Sequence, residues 1–280
     1  AGDPLAVGVT SSTGIETTAA VAAAVETPTA SPRGFLGYGM IGLLVGVVPV
    51  ALGLLWLPSL RRLDPRWLVG FLALTGGLLT FLGVDALFEA FQLQGALPGA
   101  LGGPGLVLLG VALASLGMTL LSSRLGRRAG ATGLTLALLV AIGIGVHNMG
   151  EGLAIGASFA SGNLQLGTFL VIGFMVHNVT EGLGIAAPAA RERISPARLG
   201  GLALVAGAPA ILGTWLGGYA RNETLEVLFF AIAAGAALQV VVEVARYVAR
   251  TTPGGLRSEA AIGGFLAGIA VMWVTGLLVG

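Results

Sequence analysis

Eight stretches of this 280-residue chain are long and apolar enough to cross a bilayer as helices. A spanning helix needs about 20 mostly apolar residues. Such runs lie near 35–57, 67–91, 104–122, 133–160, 166–188, 199–218, 225–247 and 260–280. Nothing else in the sequence constrains the fold as much. Inside lipid every backbone N–H and C=O must be satisfied by the chain itself, and a helix does this within each segment. Composition agrees: apolar types make up 55%, charged types only 10%, and mean hydropathy is +0.94. A soluble domain carries about 25% charged residues. The expected fold class is an all-α polytopic membrane protein of eight transmembrane helices. Its connections are too short for a second globular domain, so 35–280 reads as one transmembrane unit. Residues 1–34, rich in Ala, Thr, Ser and Gly, read as a flexible extracytoplasmic N-terminal tail.

Arginine placement orients the spans. All 14 basic residues are Arg, and 12 of them fall at alternate connections. Arg61, Arg62 and Arg66 separate spans 1 and 2. Arg124, Arg127 and Arg128 separate spans 3 and 4, and Arg191, Arg193 and Arg198 separate spans 5 and 6. Arg246, Arg250 and Arg257 mark the junction of spans 7 and 8. The positive-inside rule makes this side cytoplasmic and puts both termini outside. The expected location is a plasma membrane, the inner membrane in a bacterial cell. Cysteine is absent, which removes disulfides, thiolate metal sites and Cys nucleophiles together. The net charge of +1 argues for no nucleic-acid partner. Pairs of Gly four apart (Gly42/Gly46, Gly213/Gly217, Gly264/Gly268) predict close helix packing.

Five acids lie within the spans: Asp85, Glu89, Glu151, Glu181 and Glu243. Each costs on the order of 2.5–3.5 kcal/mol to insert, so they need protons, water or bound cations. Both histidines of the chain lie there too. Span 4 carries His147-Asn148-x-x-Glu151-Gly152, and span 5 carries His177-Asn178-x-x-Glu181-Gly182, a repeat at 30 residues. Residues i and i+4 share a helix face, so each helix presents an imidazole and a carboxylate together. Imidazole with carboxylate suits Zn, Fe, Mn, Co or Ni. The competing reading, two histidines that only hydrogen-bond between helices, does not account for a duplicated Glu at i+4. Gly152 and Gly182 serve either helix packing or close approach of an ion. Asp85 and Glu89, one turn apart in the outer half of span 2, read as an entrance. Gln239 and Glu243 in the inner half of span 7 read as an exit, against the alternative that Glu243 pairs with Arg246 or Arg250. Glu226, at the outer end of span 7, reads as solvated.

The paired His-Asn-x-x-Glu-Gly motifs, on successive spans of an eight-span chain with outer termini, resemble the ZIP family of divalent-metal transporters. The likeness covers 35–280 and extends to Asp85 and Glu89 in span 2 and to Glu243 in span 7. It implies metal binding by His147, Asn148, Glu151, His177, Asn178 and Glu181, one or two bound ions, and passage of metal into the cytoplasm. It also implies an inverted-repeat bundle in which spans 1, 4, 5 and 6 move against spans 2, 3, 7 and 8. The chain departs from that family in several places. Gly150 and Thr180 stand where it usually has Pro, and Ala208 where some members have a Glu. Val242 precedes the span-7 Glu in place of a His, and the connection 123–132 has no His. These departures thin the second metal site.

The expected function is therefore a carrier of divalent transition-metal ions, with zinc foremost and Fe, Mn, Co or Cd as alternatives. Its partners are the metal ion as substrate, the lipid bilayer and, as an option, a second copy of the chain in a homodimer. The alternative is a membrane metal sensor that binds without transport. Proton or sodium transport through the acids is a further alternative. No enzymatic activity and no catalytic residue is expected. A zincin would need His-Glu-x-x-His, and the duplicated ligand sets leave no separate base.

Overall fold

The fold begins from where its helices are allowed to start. A side-chain oxygen at the residue before a helix can accept from the N–H two or three residues on. In the computed structural model, which describes residues 5–10, 16–21, 31–97, 104–129, 132–220 and 222–277, seven helices start this way. The capping residues are Ser31, Asp64, Thr132, Asn163, Ser195, Asn222 and Ser258. Pro follows Ser31, Asp64 and Ser195 directly, where a missing N–H costs nothing.

Among the described residues eight helical spans result: Pro32–Leu60, Pro65–Leu93, Pro104–Arg127, Gly133–Ala160, Leu164–Ala189, Pro196–Tyr219, Glu223–Thr251 and Glu259–Gly276. All eight are long and apolar enough to cross a membrane. Several extend beyond the apolar runs because the caps and prolines lie outside those runs. Span 8 ends earlier than expected at Gly276, and 278–280 lie outside the described residues. Within the segment read as a tail, Leu5–Thr10 pairs antiparallel with Glu16–Val21.

Among the described residues, spans 1 and 6 are interrupted at prolines, and span 1 turns once more at Leu55–Trp56. Span 1 passes from α-helix into a π-helical turn at Leu43–Val47 and resumes at Val48. Pro49 cannot donate to the Val45 carbonyl four residues back. Span 6 breaks between Gly207 and Pro209.

Two sets of spans can be traced: 1 and 4 each pack on 5 and 6, while 2 packs on 7 and 8 and 3 packs on 7; across the sets, span 4 also packs on 7 and span 2 on 5. Without water to drive apolar surfaces together, helix association in lipid depends on close approach. Within the first set, a Cβ on Gly53 would meet the Val179 carbonyl, and one on Gly182 the Val50 carbonyl. Gly152 faces the Ala210 carbonyl in the same way. The glycines after both motif glutamates are therefore packing contacts. The predicted glycine pairs also lie in such contacts: Gly46 on Gly207, Gly213 on Met149, and Gly264 on Gly70. Between the sets the nearest neighbours of glycine are side chains: Val240 at Gly143, Phe230 at Gly150 and Thr75 at Gly184, with the Ala236 carbonyl also near Gly143. Large apolar side chains such as Leu108, Leu113, Leu116 and Leu120 of span 3 point outward, where lipid covers them.

Candidate metal centre

Spans 4 and 5 cross the middle of the bundle and carry the duplicated motif. Its six residues are all buried: His147 is 6% exposed, Glu151 4%, His177 5%, and Asn148, Asn178 and Glu181 0%. Three of them converge. Nε2 of His177 lies 2.5 Å from Oε1 of Glu151, and Nε2 of His147 lies 3.4 Å from the same oxygen. One ligand atom from each of His147, Glu151 and His177 falls within 4.8 Å of the others, a group that could hold a metal ion. Phe174, one turn before His177, packs its ring 5.3 Å from the imidazole.

The other three motif residues differ in role. The Asn178 amide donates to Oε2 of Glu151 at 3.1 Å and to the Val45 carbonyl at 3.0 Å. The second acceptor is the carbonyl that Pro49 leaves without its helical donor. Asn178 thus ties the shared carboxylate to the irregular turn of span 1. The Asn148 amide donates to the Ala206 carbonyl at 3.1 Å, beside the break in span 6. Both asparagine Oδ1 atoms and both oxygens of Glu181 are buried without a hydrogen-bond partner among the described residues. Glu181 stands outside the three-residue group, although its place in the repeat is that of Glu151.

A cavity of about 590 Å³ reaches the group from one end of the bundle. Its lining includes His147, Glu151, His177, Phe174, Asp85 and Glu89. Glu226 lines it too, although the sequence reading leaves that residue to solvent. Its amphipathic position could have suggested this, since span 7 carries Phe230 one turn further along on the same wall. The cavity walls come from the halves of spans 2, 4, 5, 7 and 8 that lie away from the arginine clusters. Toward the arginine-bearing end the side chains beside Gly143 and Gly184 are packed: Val240 is 0% exposed, Thr75 1% and Leu78 2%.

Glu243 lies apart from this cavity. It accepts from Arg246 at 3.0 Å and from Gln239 at 3.4 Å. With Arg246, Tyr247 and Arg250 it lines a separate cavity of about 100 Å³ beside Thr132 and Thr135. The ion pair weighed as an alternative for Glu243 is present.

These features define a multi-pass membrane protein with a buried His/Glu/His group able to hold a metal ion. The chain matches no known family model and no curated protein sequence.

Proposed function

We propose that this protein is a carrier for divalent transition-metal ions, zinc foremost. Metal arrives from the arginine-poor side past Asp85, Glu89 and Glu226, binds at His147, Glu151 and His177, and leaves toward the arginine-bearing, cytoplasmic side. One observation carries the reading: a single cavity joins the acids at one end of the bundle to the His/Glu/His group at its centre. A cation bound there displaces the protons that these ligands otherwise share. Two imidazole nitrogens and a carboxylate oxygen supply three positions of a tetrahedral zinc shell, with Glu181 or water for the fourth. The two packing sets, with side chains as the nearest neighbours of the glycines between them, support alternating access around a central site. The likeness to the ZIP motifs, the outer position of both termini and the inverted repeat belong to this same reading.

The test is Zn(II) uptake into proteoliposomes by the parent protein beside His147→Ala and Glu151→Gln. Saturable uptake by the parent, reduced at least tenfold in both variants, is expected. Uptake that survives both removes the site from the path. Zinc bound by the parent without uptake points to the sensing alternative.

A further inference from the structure

A buried hydroxyl, rather than a charged group, joins spans 2 and 5. In an unbroken helix the Gly184 carbonyl accepts from the N–H of residue 188. Residue 188 is Pro, inside the span-5 helix, and has no N–H to give. A hydroxyl from the other packing set takes its place: Thr75 Oγ1 of span 2 donates to the Gly184 carbonyl at 3.1 Å. Both ends of this bond are buried, and the Thr75 methyl also rests on Gly184. The position matters. Gly184 follows Glu181 by three residues in the direction of Arg191, so the bond lies on the side of the cluster away from the cavity.

Thr75 Oγ1 has a second acceptor, the Phe71 carbonyl one turn back in its own helix, also at 3.1 Å. One O–H cannot serve both fully. Parting the two sets therefore costs the hydroxyl nothing, because it falls back on Phe71. The cost falls on the Gly184 carbonyl until water reaches it. Such a bond holds one arrangement without forbidding the other.

We propose that Thr75 is a latch residue. Its bond to the proline-freed Gly184 carbonyl keeps the two helix sets together on the arginine-bearing side of the metal group while the opposite side stands open. What the latch gates rests on the carrier reading; that it holds spans 2 and 5 together does not. It acts through the helix interface and touches no metal.

The chain has no cysteine, so single reporters can be introduced cleanly. Val240→Cys samples the closed side, where Val240 packs on Gly143. Ala157→Cys samples the open cavity. Each is labelled with a maleimide in detergent, in the parent and in Thr75→Val, which swaps the hydroxyl for a methyl. Loss of one ordinary hydrogen bond shifts a two-state equilibrium about fivefold. Val240→Cys should then react about fivefold faster, with no gain at Ala157→Cys, whereas general loosening would speed both. Thr75→Ser should behave as the parent. Thr75→Ala gives the same sign if valine does not fit. Pro188→Ala returns an N–H to the Gly184 carbonyl and should cut the Thr75→Val effect to under twofold. Labelling at Val240→Cys within twofold of the parent, in both Thr75→Val and Thr75→Ala, overturns the latch, as does Thr75→Ser labelling as fast as Thr75→Val. Zinc uptake by the parent is measured separately. Shifted labelling without uptake keeps the latch and removes the carrier. Uptake with unshifted labelling does the reverse.

Discussion

Asparagine 178 offers the sharpest test of how the metal centre is built. Replacing it with Ala removes two hydrogen bonds at once, one to Oε2 of Glu151 and one to the Val45 carbonyl. The carbonyl is neutral and buried, and leaving it unpaired costs about 1–3 kcal/mol. The bond to the carboxylate belongs to the charged class, worth about 1.5–3 kcal/mol. Folding stability should fall by roughly 2.5–6 kcal/mol if these add. Metal affinity should fall too, because Asn178 holds the carboxylate that both histidines share. Losing such an outer partner costs about 10–100-fold in metal affinity. Asn148 supplies the control. Its amide donates to the Ala206 carbonyl and, unlike that of Asn178, makes no hydrogen bond to Glu151. Asn148→Ala should destabilise by about 1–3 kcal/mol and leave zinc affinity within about threefold of the parent. The assay is zinc competition against a fluorescent chelator, beside thermal unfolding of both variants in detergent. Equal losses of affinity in the two would refute the asymmetry and return both asparagines to the same role.

Other outcomes follow from the same geometry. Zinc binding should weaken steadily from about pH 7.5 to about pH 5.5, because protons compete for the imidazoles and the carboxylate and win as pH falls; calorimetry in buffers of different ionisation enthalpy should show protons released on binding. Neutralising the cavity mouth with Asp85→Asn and Glu89→Gln together should slow uptake severalfold at low ionic strength and little at high salt, with zinc affinity at the centre nearly unchanged; an equal loss at every salt concentration would argue against steering. Gly182→Ala drives a Cβ into the Val50 carbonyl and should cost about 1–3 kcal/mol, read as a lower midpoint of thermal unfolding.

Much of this could be read from the residues because the physics is local. Eight spans follow from apolar length, and seven helix starts follow from Ser, Asp, Thr and Asn at the capping positions. The pairing of each His with a Glu one turn on follows from helical period. Other features were hidden because they depend on how two helices meet. The repeat sets where Glu151 and Glu181 lie along their own helices. It does not set the rotation and offset of those helices, and the structure gathers Glu151 with both histidines while Glu181 stands aside. Span 1 shows the same limit. Pro49 marks a disturbance, but the π-helical form and the Asn178 tie to Val45 arise only once span 5 packs beside it. Glu243 shows that the nearest partner can outweigh the route: Arg246 is three residues away and takes it.

Two carboxylates lie buried in the paired motifs, Glu151 against both imidazoles and Glu181 just outside their group, and no guanidinium bonds to either among the described residues. If both are ionised, their charge of −2 cancels that of one divalent ion, and the loaded centre becomes electrically neutral. A neutral centre crosses a low-dielectric layer without the Born penalty that a net charge would carry. On the carrier reading, the loaded step would then be indifferent to membrane voltage. The empty centre would have to take up protons or another cation before returning, or return as the voltage-sensitive half of the cycle.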